Sequence, residues 1–214
     1  MTIRPIIFSG PMIRALLEGR KTQTRRVLKP QPHGSGIVHY GKSKDAPASW
    51  TDTTGTTGKL PFWVGDLLYV RESFARAETG FAYMADHPGD TSGMGWKPSI
   101  HMPREASRLT LRVTDVRVQR AQDISEEDGK AEGVEPVSYS GTDPRFEGLI
   151  GYRDYSDHPH NVAPFQYAWR SFQSLWDSLN DKRGYGWDKN PWVVALTFEV
   201  HHCNVDQFDC EVAA

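Results

Sequence analysis

The sequence predicts an α+β protein built around a small mixed or antiparallel β-barrel. The clearest signal is residues 109–121, where apolar and polar residues alternate as they do in a half-buried strand. Residues 190–200 form a second apolar run that predicts the last strand. Few segments between the strands have the pattern of a β-α-β crossover, which argues against a doubly wound parallel sheet.

The first predicted elements are a strand, a helix and a second strand. Residues 4–8 predict the first strand. Pro11 predicts the start of a helix, because the missing N–H of proline costs nothing at the first helical position. Gly19 is placed to end that helix with a positive φ. Residues 23–28 predict the second strand.

Later elements follow a turn at Gly-Asp. Residues 67–74 predict a strand after that turn. Asp123 or Ser125 is the predicted N-cap of a short acidic helix, residues 125–133, and Asp128 follows Ser125 by three positions as in a capping box. Residues 164–179 predict a longer helix with one wide apolar face.

Three stretches rich in Gly, Pro, Ser and Thr interrupt these elements. They predict loop insertions near residues 30–60, 86–107 and 136–163, within a single domain that spans residues 1–202. Loops of this length in compact domains are usually lids, binding loops or mobile segments. Residues 203–214 predict a solvated C-terminal tail.

Composition and charge narrow the classes of function. A net charge of −2 is unlike that of a broad duplex-DNA binder, yet it allows a local basic pocket. No apolar run approaches the roughly 18 residues of a membrane span, and the N-terminus lacks the apolar core of a signal peptide. We therefore expect a cytoplasmic protein without membrane contact. The cysteines, Cys203 and Cys210, are too few for a disulfide framework.

One short motif points to a known family. The segment GRKTQTRR, residues 19–26, resembles the ASCH signature G-x-K-x-x-E-x-R, with Gly19, Lys21 and Arg26 at matching positions. Thr24 stands where the signature has Glu. That departure is similar to the branch of the family that hydrolyses N4-acetylcytidine, whose motif carries Lys and Thr at these two positions.

The resemblance extends over most of the chain outside the predicted loops. GDLLYVRE, residues 65–72, resembles the family's turn into a barrel strand, and residues 113–134 resemble its central strand and short acidic helix. Three sequence segments are similar to those of a larger ASCH variant carried by phages and prophages: FSGPMIRALLEGRKTQTRR, MPREASRLTLRVTDV and SLWDSLN. The resemblance implies a small PUA-like β-barrel with flanking helices and long loop insertions.

The same resemblance implies a hydrolase acting on a modified nucleoside or RNA. In the acetylcytidine branch, a glutamate near the end of the acidic helix completes a Lys-Thr-Glu site, which implies catalytic roles for Lys21, Thr24 and Glu132. A threonine hydroxyl becomes a nucleophile once a base removes its proton, and a desolvated lysine can be that base. Both an amidohydrolase acting on acylated cytidine and a ribonuclease stay open. We expect no cofactor and no metal.

A non-catalytic reader is the alternative. Lys21, Arg25 and Arg26 would then bind a phosphate of RNA or of a modified nucleoside, which needs positive charge but no base. The similarity to phage proteins also leaves open a host protein as partner, bound through the long loops. Nothing in the sequence defines the oligomeric state.

Three further residues are candidate ligand contacts. Arg71 and Glu72 end a predicted strand, where they form either a local ion pair or a pocket wall. Trp96 lies in a Gly-rich stretch and can stack on a base, with core packing as the alternative. His201 and His202 are adjacent on a predicted strand, so their side chains point to opposite faces and do not suggest a metal site.

Overall fold

The computed structural model describes residues 2–34, 36–42, 47–90, 93–138, 148–156 and 164–208. These residues combine a few helices with many strands, so the predicted α+β class is confirmed. The α-helices are α1 (Gly10–Leu17), α2 (Glu126–Ala131) and α3 (Ala168–Asn180). The strands are β1 (Ile3–Ile7), β2 (Gln23–Val27), β3 (Ile37–Gly41), β4 (Ser49–Asp52), β5 (Thr57–Lys59), β6 (Leu67–Arg71), β7 (Phe74–Ala77), β8 (Gly80–Tyr83), β9 (Thr110–Arg120), β10 (Pro136–Ser138), β11 (Ile150–Tyr152) and β12 (Trp192–His201). None of the helices in these described ranges has the length and apolarity to cross a lipid bilayer.

The largest sheet has five strands in the order β1-β6-β9-β12-β2. β1 and β6 are parallel, with Ile3 opposite Leu67, whereas β6 and β9 are antiparallel, with Leu68 opposite Leu111. β9, which apolar alternation predicts, and β12, which an apolar run predicts, both form close to the predicted bounds.

The chain divides into two compact units. Unit 1 consists of Met1–Thr22, Phe62–Asp115 and Thr197–Ala214, and unit 2 consists of Gln23–Pro61 and Val116–Leu196. β9 and β12 contribute residues to both units. Unit 1 contains β1, α1 and β6 to β8, whereas unit 2 contains β2 to β5, α2, β10, β11 and α3.

The end of the described chain belongs to the core of unit 1. The sequence predicts a solvated tail from residue 203, but Cys203, Val205 and Phe208 are buried together with Leu67. Asn204 fixes this segment by donating a hydrogen bond to the Ser107 carbonyl at 2.8 Å. Buried apolar side chains thus continue past the end of β12. The rest of the predicted tail, residues 209–214, lies outside the described residues.

Unit 2 has its core between α3 and β12. α3 begins at Ala168, four residues later than the predicted start at 164, and buries Phe172 and Trp176 on one face. Buried apolar side chains pack there: Ala121, Val134, Ala168, Phe172, Trp176, Trp187 and Val193. This core supports β2 and α2, the elements that carry the predicted site residues.

The first predicted loop contains a small sheet. Within residues 30–60, β3, β4 and β5 form a three-stranded antiparallel sheet. Trp50 is fully buried against Gly58, where any added Cβ would lie 2.4 Å from the Trp50 ring. Asp52 holds the β4–β5 turn by accepting hydrogen bonds from the Thr54 and Thr56 backbone N–H groups at 2.9 and 3.0 Å. The irregular appearance of this sequence therefore reflects turn residues between short strands.

The other two predicted loops contain less regular structure. The stretch 86–107 includes two short 3-10 helices, Ser99–His101 and Arg104–Ala106. Part of the third loop pairs as β10 and β11. Residues 139–147 and 157–163 of that loop lie outside the described residues.

Candidate functional site

Lys21 lies in unit 1, just after α1. Gly19 has a φ of +71° and turns the chain, and the Lys21 N–H then donates to the Ala15 carbonyl at 3.0 Å. The Lys21 side chain is buried, with 0% of the residue exposed, and its Nζ lies 5.5 Å from the centroid of the Phe8 ring. Complete burial of a lysine is uncommon, and the lysines that serve as general bases or form Schiff bases in enzymes are typically buried.

Thr24 lies on β2 in unit 2 and is 3% exposed. No residue in the described part of the chain forms a hydrogen bond with its hydroxyl group. Buried hydroxyl groups are normally hydrogen-bonded, because an unmade bond costs free energy. The Thr24 hydroxyl is therefore a nearly buried polar group that can still engage a ligand.

Arg25 connects β2 to α2 through buried ion pairs. Its side chain is 0% exposed, and its guanidinium lies 2.5 Å from the Asp128 carboxylate and 3.0 Å from the Glu132 carboxylate. Asp128 and Glu132, which is the C-cap residue of α2, are four residues apart, so both side chains lie on the same side of the end of the helix. The sequence predicts Arg25 as a ligand contact. In the structure it binds Asp128 and Glu132 within unit 2, so it positions Glu132 instead of meeting solvent.

Arg117 extends this ion-pair cluster from β9. It donates to both oxygens of Asp128, at 3.1 and 3.3 Å, and to the side-chain oxygen of Gln23 at 3.3 Å. Burial alone would raise the pKa of Asp128. The hydrogen bonds from Arg117 and the charge of Arg25 outweigh burial and hold that pKa below its ordinary value. Asp128 is therefore a fixed negative charge.

Three contacts hold α2 in place. The Ser125 hydroxyl accepts a hydrogen bond from the Asp128 N–H at 3.1 Å, so Ser125 is the N-cap and Asp123, the other predicted candidate, is not. Glu126 accepts from the first N–H groups of α3, with 2.9 Å to the nitrogen of Ala168. Gly129 allows α2 to approach α3 closely, since a Cβ there would lie 2.7 Å from the Trp169 nitrogen. These contacts determine where Glu132 is held.

Arg26 is half-buried on β2. Burial lowers the pKa of its guanidinium, the negative charge of Glu132 opposes that effect, and Arg183 adds to it. Alternation along the strand places Arg26 on the face of Thr24, opposite to Arg25. Arg26 and Thr24 are thus the two predicted site residues that share a face of β2.

Arg71 and Glu72, for which the sequence allows either a local ion pair or a pocket wall, each bind another residue of unit 1. Glu72 is 2% exposed and accepts two hydrogen bonds from Arg108, at 2.9 and 3.1 Å. Burial raises the pKa of Glu72 despite this partner. Arg108 also binds Asp86, whereas Arg71 donates to the carbonyl oxygen of Ile100. Both predicted contacts thus have partners within unit 1.

Trp96 is half-buried and also has partners within its own unit. Its indole N–H donates to the Asp90 carboxylate at 2.9 Å, and its ring centroid lies 6.0 Å from that of His87. This arrangement is closer to the packing alternative than to an open stacking platform. The rings of His201 and Phe208 pack edge to face, with their centroids 4.8 Å apart.

The structure gives no group of metal ligands within the residues that it describes: no set of three His, Cys, Asp or Glu side chains converges there. Cys210 lies outside those residues.

Sequence reasoning missed the roles of Gln23, Arg117 and Asp128 as partners in the buried cluster. The i, i+4 spacing of Asp128 and Glu132 was a usable signal for a shared cation. That cation, Arg25, is 103 residues away from Asp128 in the chain, and a local sequence pattern does not reveal a partner so distant.

Comparison with known proteins gives no independent assignment. No family model, curated protein or solved structure matches the chain.

Proposed function

We propose that this protein is an ASCH-type hydrolase directed at a modified nucleoside or RNA. We also propose that the strands of this α+β fold form a small PUA-like β-barrel. Its first substrate class is an acylated nucleobase, such as an N4-acylated cytidine. The observation that carries the proposal is the Thr24 hydroxyl, which is nearly buried and has no hydrogen-bond partner among the described residues.

The reaction needs a nucleophile, a base and a proton carrier. The Thr24 oxygen would attack the amide carbonyl as Lys21 takes its proton, forming an acyl-threonine ester and releasing the nucleobase amine, which gains a proton. Water then hydrolyses the ester, so that the net reaction converts the amide and one water into an amine and a carboxylic acid. Glu132, which Arg25 fixes at 3.0 Å, would position the water or carry the proton.

The reaction is tested by mass spectrometry after incubation with N-acylated cytidines and short RNAs. Thr24→Ser should retain some turnover because a hydroxyl remains, whereas Thr24→Ala and Lys21→Met should abolish it. The last two effects should not add, because a nucleophile and its base act as one unit. Lys21→Arg should also fail, since a guanidinium does not release its proton near neutral pH. Turnover that survives in Thr24→Ala would overturn the assignment.

A reader of RNA or modified nucleosides is the second candidate, and the Arg25–Glu132 ion pair favours it. Glu132 is held by Arg25, whose side chain points to the face of β2 opposite to Thr24. A carboxylate held in this ion pair can have a purely structural role, without taking part in a reaction. In a reader, Lys21→Arg should largely preserve ligand binding, and Thr24→Ala should cost about one hydrogen bond, roughly 0.5–1.5 kcal/mol. Retained affinity without turnover on any tested substrate would select the reader.

A further inference from the structure

Unit 1 contains a basic cleft that none of the predicted site residues line. The cleft has a volume of about 580 Å³ and is lined by Phe74, Arg76, Lys97, His101 and Pro103. Arg76, Lys97 and His101 are all exposed. None of these lining residues is acidic, which distinguishes the cleft from a neighbouring one lined in part by Glu105 and Asp206.

The walls of the basic cleft are fixed by backbone pairing and by packing. Lys97 and Phe74 exchange two backbone hydrogen bonds, of 2.7 and 3.1 Å, so that Lys97 is held beside the start of β7. Beneath them Phe74 packs in a buried cluster with Met102 and Ala106. The two cations therefore project from a rigid base, which lowers the ordering cost of binding a ligand.

The guanidinium of Arg76 is oriented but not neutralised. It lies 5.7 Å from the centroid of the Phe81 ring, which supports it from one side. Its contact with the Glu105 carboxylate is 4.0 Å long, and both side chains are about 70% exposed, at 71% and 68%. Such a long, exposed contact is weak and is screened by salt, so Arg76 can exchange it for a phosphate.

We propose that this basic cleft binds the phosphate backbone of single-stranded RNA, and this inference rests on the proposed RNA-directed function. Arg76 and Lys97 contact phosphates, and His101 adds a ring nitrogen and a surface on which an unpaired base can stack. Charge complementarity favours RNA, because a chain with a net charge of −2 attracts a polyanion only where cations are concentrated. Duplex DNA would need a broader basic surface than two cations and a histidine provide.

The test is the salt dependence of binding to a fluorescein-labelled oligouridine of about 12 nucleotides, measured by fluorescence anisotropy. Two phosphate contacts give a slope of about −1.4 in log affinity against log salt, so a fourfold rise in salt weakens binding about sevenfold. Arg76→Gln and Lys97→Gln should each make the slope shallower by about 0.7. Arg112→Gln is the matched control, because Arg112 is an exposed cation of unit 1 outside the cleft.

The readouts separate this inference from the hydrolase assignment. Turnover of a free acylated nucleoside should be unchanged in Arg76→Gln and Lys97→Gln, because a nucleoside carries no phosphate backbone. If RNA affinity and slope stay at wild-type values in both variants, the cleft assignment is wrong, whatever the nucleoside assay shows. If the variants weaken RNA binding while no nucleoside is hydrolysed, the cleft stands and the reader replaces the hydrolase. Equal losses in Arg112→Gln would show a diffuse charge effect and would also overturn the cleft.

Discussion

Replacing Arg25 by methionine removes the cation at the centre of the buried cluster in unit 2. The Arg25 side chain is 0% exposed, and it contacts Asp128 at 2.5 Å and Glu132 at 3.0 Å. Removing one partner of a buried ion pair typically costs about 3–5 kcal/mol, because the remaining charge is left in a low-dielectric site. Asp128 keeps Arg117 at 3.1 Å, so we expect the lower end of that range, about 3 kcal/mol.

The assay is urea unfolding at neutral pH, followed by tryptophan fluorescence and by far-UV circular dichroism. The two transitions must coincide before one free energy of unfolding is assigned, since a chain with two compact units can unfold in steps. Arg153→Met is the matched control. Arg153 pairs with Glu135 at the same kind of distance, 2.9 Å, but the side chains are 56% and 45% exposed, and such pairs contribute only about 0–1 kcal/mol.

A double-mutant cycle tests the cause of the loss. Glu132→Gln removes the charge that Arg25→Met leaves behind, so the double variant should be less destabilised than the sum of the single variants, by about 0.5–3 kcal/mol. A cost for Arg25→Met no greater than that of the Arg153→Met control would refute the reasoning. So would a cycle in which the two effects simply add.

Three other measurements probe α2 and its contacts. Ser125→Ala removes the N-cap acceptor and should lower the free energy of unfolding by about 0.5–2 kcal/mol in urea, with Ser125→Asp restoring much of it. Gly129→Ala should lower it by about 1–3 kcal/mol in the same assay despite the better helix propensity of alanine, because backbone atoms of Trp169 lie 2.7 Å from the new Cβ; a stabilised variant would contradict this packing. Because the folded pKa of Asp128 lies below its ordinary value of 3.8, its contribution to stability is present above that pH and is lost as the pH falls through the folded pKa. Asp128→Asn should therefore flatten the decline in stability below about pH 4, and an unchanged acid profile would argue against it.

The elements that could be predicted from the sequence are those with long, regular periodicity. β9 alternates over enough residues to override local ambiguity, and α1 has both a proline at its start and a glycine with positive φ after its end. Local pattern determines such elements because each residue repeats the same signal. The N-terminus of α2 is predictable for a different reason, because a serine followed three residues later by an acidic residue is a local capping signature.

The sheet of β3 to β5 could not be predicted, because its signal is neither long nor periodic. Its strands have three to five residues each, and its stability depends on one buried ring, Trp50, meeting a glycine in the next strand. The turn is held by Asp52, a residue that composition alone places in loops. These short strands form because of contacts between them, and a sequence rich in turn residues gives no local signal for such contacts.

The candidate site shows the same division between local and distant information. The sequence motif identifies Lys21, Thr24 and Arg26 because they lie within a few residues of one another, but it assigns Arg25 to a ligand when its partners are on α2. Replacing a buried ion-pair cluster by apolar residues is often neutral or stabilising by about 1–4 kcal/mol, so stability alone is a weak reason for this one. Its other effect is geometric. The planar fork of Arg25 and the i, i+4 spacing of Asp128 and Glu132 fix where Glu132 is held relative to β2. The proposed hydrolase requires a carboxylate held at a defined place, whereas in the reader the same carboxylate serves structure alone.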